Sequence, residues 1–317
     1  MIRALLLILW LVLLVLASLW MGDQSYRWFP VQASNAAPLV DGLFSLETAI
    51  GTFVFLGVLS VLLWVLLFNR AEKYDQEDGP PLEGNTTLEI VWTVIPLVVV
   101  MAIAVAGIRV NRQLGVLGPM EHVHSAGSAA GAGAGAGAVI EAVDRGPAAA
   151  PGLAPLRVEV IARQWSWEFR YPQAQVSSTE LHLPLDQPVT FELTSPDVLH
   201  GFYVPAFRLK QDVVPGRAID FSLTPTRSGR YRLRDSQFSG AWFAANQADV
   251  VVEPPEAFAS WLVAAAQQPL QPGLSLAVVE AEQLARQPAG GIRWATVPPA
   301  PPPLVNVPGS SSLPHDA

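Results

Sequence analysis

Three apolar stretches constrain this chain more than any other feature: residues 4–21, about 43–68, and 88–110. At ~1.5 Å rise per residue, some twenty residues cross ~30 Å of hydrocarbon, so the second and third can each span a bilayer. The first sits at the border between a signal peptide and a spanning helix, behind the single charge of Arg3. Bulky residues surround the candidate cut, so a retained helix or signal anchor is expected, with cleavage as the alternative. Glu47 lies near one end of the second run, and Pro96 inside the third should kink that helix or loosen one of its hydrogen bonds. A short polar connection makes the last two helices an antiparallel hairpin. Arg70 and Lys73 before the third run balance Arg109 and Arg112 after it, so basic residues set no orientation.

The rest of the composition agrees with a membrane anchor carrying one modest globular domain. The 317 residues are 51% hydrophobic and 15% charged, with mean hydropathy +0.34, too apolar for an ordinary soluble domain. A net charge of −8 gives no electrostatic footprint for nucleic acid. The chain has no cysteine, which excludes disulfides, thiolate nucleophiles, iron–sulfur clusters, cysteine-bearing copper sites and a lipidated N-terminal cysteine.

Domain boundaries follow from composition. Residues 1–22 form the hydrophobic N-terminal segment and 40–112 the helical hairpin. Residues 113–155 are a Gly/Ala-rich stretch with little to bury, read as a flexible linker. Glu121, His122 and His124 at its start could hold a metal, but nothing rigid would position them, and a solvated linker is the plainer reading. Residues 156–252 carry about eight short segments rich in β-branched and aromatic residues, separated by Pro, Gly, Asp and Ser turns: LRVEVIAR, WSWEFRY, TELHLPL, PVTFELTS, HGFYVPAF, AIDFSLTP, GRYRLRD and ADVVVE. Such a series predicts an antiparallel β-sandwich or barrel. PPEAFASWLVAAAQ reads as a short helix closing a domain over 156–267, with Phe258, Trp261 and Leu262 on its apolar face. Residues 268–317 are Pro/Ala-rich and read as a disordered tail with one loose helix at about 274–287.

The segments LEIVWTVIP, QWSWEFRYP and VLHGFYVPAFRLKQDVVPGR occur in that order. Together with the hairpin they closely resemble subunit II of haem–copper terminal oxidases, over about residues 40–265. The resemblance implies a membrane-anchored all-β protein: a transmembrane hairpin followed by a cupredoxin-like antiparallel β-sandwich on the extracytoplasmic side of a bacterial cell membrane or an internal energy-converting membrane. It implies subunits I and III as partners, with haems and the catalytic copper in subunit I. In cytochrome c-oxidising members the sandwich holds a binuclear copper centre, CuA, ligated by one His and then by C-x-E-x-C-x-x-x-H-x-x-M. Here His200 matches the first ligand, and the motif falls on Asp235, Gln237, Ser239, Phe243 and Asn246, with Gly240 kept. Soft thiolates suit copper, and this chain supplies none, so no CuA and no other bound cofactor are expected. His200 then reads as a hydrogen-bonded loop or core histidine, and a harder metal shared with Asp235 would have too few ligands.

The resemblance marks other positions. Glu89 matches a glutamate at the mouth of a proton-input pathway, against the plainer reading of a helix-end charge. Trp92 is an interfacial anchor packing on a partner helix. Trp165 and Trp167, two apart on one strand, read as core aromatics, and for Trp167 the resemblance adds a place of electron input. Lys210, Asp212 and Arg217 lie on a loop expected to face subunit I, near a magnesium site that the neutral Gln237 would no longer serve. The expected function is therefore a copper-free subunit II, similar to alternative respiratory terminal oxidases or quinol oxidases, with quinol or a c-type protein as donor. The alternatives are a membrane-tethered cupredoxin module for partner binding or assembly, and a CuA-type cytochrome c oxidase subunit.

Overall fold

The computed structural model describes residues 1–69, 84–114, 155–286 and 300–307. Arg70, Lys73 and the linker residues Glu121, His122 and His124 lie outside the described residues. The chain divides into two units: Met1–Phe29 with Leu39–Asn111, and Pro30–Pro38 with Arg112–Ala317.

The first unit contains three helices, α1 (Ile2–Ser25), α2 (Ala37–Phe68) and α3 (Thr86–Leu114), all long and apolar enough to cross a membrane. Helix α2 begins about six residues before its apolar run, and α3 continues through Pro96. Small residues let α1 and α2 approach closely: Ser45 Oγ donates to the Gly22 carbonyl at 2.8 Å, and a Cβ on Gly22 would stand 3.1 Å from that of Ala49. Asn85 caps α3, its Oδ1 accepting from the amides of Thr87 and Leu88 at 3.1 and 3.2 Å.

The second unit is a sandwich of two five-stranded sheets. One runs β3 (Val176–Ser178), β2 (Ser166–Tyr171), β1 (Leu156–Arg163), β5 (Val189–Thr194), β8 (Ile219–Leu223). The other runs β4 (Leu181–Pro184), β10 (Gln247–Glu253), β9 (Gly229–Asp235), β6 (His200–Val204), β7 (Leu209–Val213). Strict alternation puts Val158, Val160 and Ala162 of β1 and Val189, Phe191 and Leu193 of β5 inside. Trp167, Phe169, Phe191, Phe202 and Leu233 interlock between the sheets, each almost wholly buried and contributing roughly 1.5–3 kcal/mol. Each sheet also contains one parallel pair, β1 with β5 and β4 with β10, because the chain crosses to the other sheet between β3 and β5.

Two expectations need correction, and one contact has no counterpart in the sequence reading. The stretch FRLKQDVV, read as a loop, contains β7, an edge strand with Leu209 and Val213 inward and Lys210 and Asp212 outward. Its polar outer face and edge position hide the alternation. The chain between α1 and α2 is also part of the sandwich unit: Ala33 N–H donates to Ala206 O and Asn35 N–H to Thr224 O, both at 3.0 Å.

The second correction concerns the region beyond residue 268, whose described parts are ordered, although the helix expected at about 274–287 is present. Past α4 (Pro255–Ala266) the chain forms β11 (Gln271–Pro272), α5 (Leu276–Arg286) and β12 (Leu304–Val305), and β11 pairs with β12. Val305 and Val307 are buried, and Asn306 donates its backbone N–H to Ser177 O at 2.9 Å while its side chain accepts the Ser177 amide at 2.7 Å. Composition suggested disorder, but a few apolar anchors and borrowed backbone bonds at a sheet edge are enough to hold a Pro/Ala-rich segment. Helix α4 docks through Trp261, whose ring lies edge-on to Tyr171 at 5.3 Å and stacks on His182 at 3.9 Å.

Candidate functional site: a buried carboxylate–imidazolium–carboxylate centre

His200 opens β6 and Asp235 closes β9, adjacent strands in one sheet, so both side chains reach the same end of the sandwich. The loop 236–246 then folds back over them. Two glycines permit the close approach. A Cβ on Gly201 would lie 2.1 Å from Ser236 Oγ, and Gly240, at φ 117°, would drive a Cβ to 2.7 Å from the Trp165 ring.

At the centre is His200, which is fully buried. Its Nδ1 meets Asp235 Oδ2 at 2.7 Å and its Nε2 meets Asp197 Oδ1 at 3.0 Å. A carboxylate at each ring nitrogen requires a proton on each, so the ring is an imidazolium with no lone pair to offer. Asp235 accepts four further bonds: from the amides of Gly201 and Gln237 at 2.8 and 3.1 Å, Ser239 Oγ at 2.8 Å and Asn246 Nδ2 at 3.0 Å. Burial by itself disfavours the charged ring, but the bonds to Asp235 and Asp197 outweigh it and hold the His200 pKa above its ordinary value. Burial likewise pushes Asp235 up, and the donors around it, His200 first, more than reverse this and hold it low. Asp197 is also held low against its burial, by the Gln164 amide, His200 and the Val198 amide.

A second layer fixes this centre. Gln164 N–H donates to Asp197 Oδ2 at 2.7 Å, while Gln164 Nε2 and Trp165 Nε1 both donate to Ser239 O, at 2.7 and 3.1 Å. Trp167 Nε1 donates to Asn246 O at 3.1 Å. Gln237 Nε2 donates to Asp212 Oδ1 at 2.8 Å, and Lys210 Nζ stands 3.5 Å from the same oxygen. Asn246 Oδ1 is buried with no hydrogen-bond partner among the described residues.

His200, Asp235, Gln237, Ser239 and Asn246 are therefore brought together, and Phe243 stands aside, its ring against Phe238 at 5.3 Å. His200 and Asp235 bond each other directly. Trp165 lies in the β1–β2 turn, not on the strand with Trp167, and packs on Trp242 at 5.0 Å. Trp167 is only 2% exposed and lies in the core beside His200 and Phe202, so its ring is not presented to an outside donor as the resemblance implied. Arg217 ends an exposed turn at Gly216, whose φ of 72° suits only glycine well. Glu89 lies in the first turn of α3, and Trp92 is 65% exposed on that helix. Sequence reasoning missed Asp197 and Gln164. The only signal for Asp197 is the Ser-Pro-Asp turn just before His200, which reads as a turn residue and not as a partner.

A binuclear copper centre does not fit these donors. No thiolate is present, Phe243 offers carbon where an imidazole would bind, and the His200 nitrogens and Asp235 oxygens are already committed to one another.

An apolar helical anchor followed by a two-sheet cupredoxin-like sandwich, with a polar site between the β6 and β9 ends, defines a class of membrane-bound subunits. Comparison with known proteins makes the class specific. Residues 18–110 match the family described as cytochrome C oxidase subunit II, transmembrane domain, and residues 176–253 match cytochrome C oxidase subunit II, periplasmic domain. The chain is 39% identical over 273 residues to cytochrome c oxidase subunit 2 of Synechocystis sp., covering 82% of each chain. It is 26% identical over 219 residues to quinol oxidase subunit 2 of Bacillus spizizenii, covering 68% of this chain and 59% of that one. Among solved structures, the periplasmic domain of subunit II of cytochrome oxidase (CoxB) of Bradyrhizobium japonicum matches at 24% identity and a TM-score of 0.34, over 35% of this chain and 94% of that domain. The chain belongs to the cytochrome c oxidase subunit II family: it is a subunit II of the haem–copper oxidases, anchored in a membrane with its C-terminal domain on the extracytoplasmic side.

Proposed function

We propose that this chain is a copper-free subunit II that supports electron transfer to oxygen by docking on a subunit I which carries the haems and the catalytic copper, with subunit III completing a proton-translocating complex. One observation carries the reading: His200 and Asp235, at two of the positions that would ligate CuA, join Asp197 in a carboxylate–imidazolium–carboxylate centre. Without a relay metal, electrons reach subunit I without passing through this domain, which favours a quinol donor in the manner of the quinol oxidases. The FRLKQDVVPGR stretch has the character of cytochrome c oxidase members, so the chain is best placed with alternative terminal oxidases, and a c-type protein stays in the test as the competing donor. Trp92 on the hairpin and Lys210, Asp212 and Arg217 around β7 are the proposed subunit I contacts. Glu89 is the proposed mouth of a proton-input path. The fold of the sandwich then serves docking and not metal relay.

The test has two measurements. Metal analysis of the purified chain is expected to find no copper, whereas a loaded binuclear centre would bring a pair per chain. Turnover of the purified complex is expected to be faster with a quinol than with a reduced c-type cytochrome; stoichiometric copper with preferential oxidation of the cytochrome would overturn the reading. Failure of any haem-bearing partner to co-purify after mild extraction would leave the tethered-module alternative.

A further inference from the structure

The periplasmic-domain match stops at residue 253, yet the chain beyond it reaches back to the site. Four bonds tie this strap to the first sheet. Two hold β3, from the backbone and side chain of Asn306 to Ser177. The other two hold the β1–β2 turn: Ser275 Oγ donates to Trp165 O at 3.0 Å, and Ala300 N–H donates to Gln164 O at 2.9 Å. Ser275 is buried, as is Ala277, the second residue of α5, so the Ser275 contact lies under cover and is not a frayed surface bond. Gly273 sits so close to Thr179 that a Cβ would approach it to 2.6 Å, which places the strap tightly against the sheet edge.

The same turn holds both halves of the buried centre. Gln164 gives its amide to Asp197 and its side chain to Ser239, and Trp165 gives its indole N–H to Ser239. Asp197 and Ser239 in turn bond His200 and Asp235. The path from the C-terminal strap to the imidazolium therefore passes through one two-residue turn, with a hydrogen bond at every step. We infer that the C-terminal strap, residues 271–286 and 300–307, is a positioning element of the site: it presses the Gln164–Trp165 turn onto the loops that carry Asp197 and Ser239. Ser275 is its key positioning residue. This holds whichever donor feeds the oxidase, and its test needs no turnover.

The full chain in detergent is compared with Ser275→Ala, with Ser275→Thr, and with a chain ending at Gln268. Two readouts follow the site itself: amide hydrogen exchange of Gln164, Trp165 and the 236–246 loop, and the titration of His200 by nitrogen NMR of the histidine rings. Loss of one hydrogen bond is expected to speed exchange of the Gln164 and Trp165 amides about fivefold in Ser275→Ala, with Ser275→Thr close to the parent. The chain ending at Gln268 is expected to exchange faster still and to shift the His200 midpoint towards that of an ordinary imidazole. Release of the Ser177 amide alone, with Gln164 exchange and the His200 midpoint unchanged, would overturn the proposal and reduce the strap to an edge cover. Should the shortened chain not fold, Ser275→Ala against Ser275→Thr decides the matter.

Discussion

Replacing His200 by glutamine removes the one positive charge at the centre of the site and nothing else of comparable size. Two charged hydrogen bonds are lost. The bond to Asp235 lies entirely out of solvent, and breaking a buried pair by deleting one partner costs about 3–5 kcal/mol. Asp235 keeps the Gly201 and Gln237 amides, Ser239 and Asn246, so the loss falls at the lower end, about 3 kcal/mol. The Asp197 side chain is 26% exposed, and its screened bond adds about 0.5–1 kcal/mol. For a domain of this size the sum lowers the melting temperature by roughly 12–16 °C. Thermal unfolding at pH 6, followed by tryptophan fluorescence of the full chain in detergent, measures it. The pH dependence adds a second check. The raised pKa of His200 gives a contribution that is complete below about pH 6.5, the ordinary imidazole value, and is lost as pH rises from there through the folded value. The lowered Asp197 and Asp235 give contributions complete above about pH 4 and lost as pH falls. The parent should therefore lose stability relative to His200→Gln as pH is raised above 6.5. A variant within 1 kcal/mol of the parent at pH 6, or parallel decline of the two on the alkaline side, would refute the charged-ring account.

Gly240→Ala forces a Cβ to 2.7 Å from the Trp165 ring at a φ that L-residues resist, so it should cost about 1–3 kcal/mol and alter the Trp165 emission, read by denaturant unfolding. Glu89→Gln in the assembled complex should slow turnover and proton uptake together, several-fold, with assembly intact; unchanged uptake would leave Glu89 as a helix-end charge beside the Asn85 cap.

Much of the fold could be read from local pattern alone. Val158, Val160 and Ala162 alternate with polar or half-buried neighbours, and Phe191 and Leu193 do the same, so those strands announce themselves. Strand β7 did not, because an edge strand with Lys210 and Asp212 outside carries too few apolar positions to separate it from a loop. The strap did not, because its order comes from bonds to Ser177, Gln164 and Trp165, more than 100 residues away in sequence, and not from its own composition. At the site, the resemblance marks by position in the motif each residue that stands where a copper ligand is expected. It does not reveal that Asp235 and Asp197 clasp His200 from two sides. That geometry depends on β6 and β9 being neighbours and on a turn that aims Asp197 at the residue three positions ahead of it.

On the copper-free reading proposed above, the absence of sulfur and the presence of charge at this site are linked physically. A binuclear metal would be a buried cation that ties the β6 end to the loop after β9. Taking it away leaves a histidine and a loop with no fastener, in a place where unpaired polar groups are costly. A carboxylate at position 235 makes a tie only if its own charge is answered, and the positive charge of the His200 ring, which points one N–H at each carboxylate, answers it. Ser239 and Asn246, two of the other replaced ligand positions, then serve as donors to Asp235, so three of the five replacements belong to one network. Such a network resists partial reversal. A thiol in place of Asp235 would strand His200, Ser239, Asn246 and the amides of Gly201 and Gln237 together. The imidazolium thus ties the β6 end to the loop after β9 through Asp197 and Asp235, the fastening that the proposed copper-free reading needs.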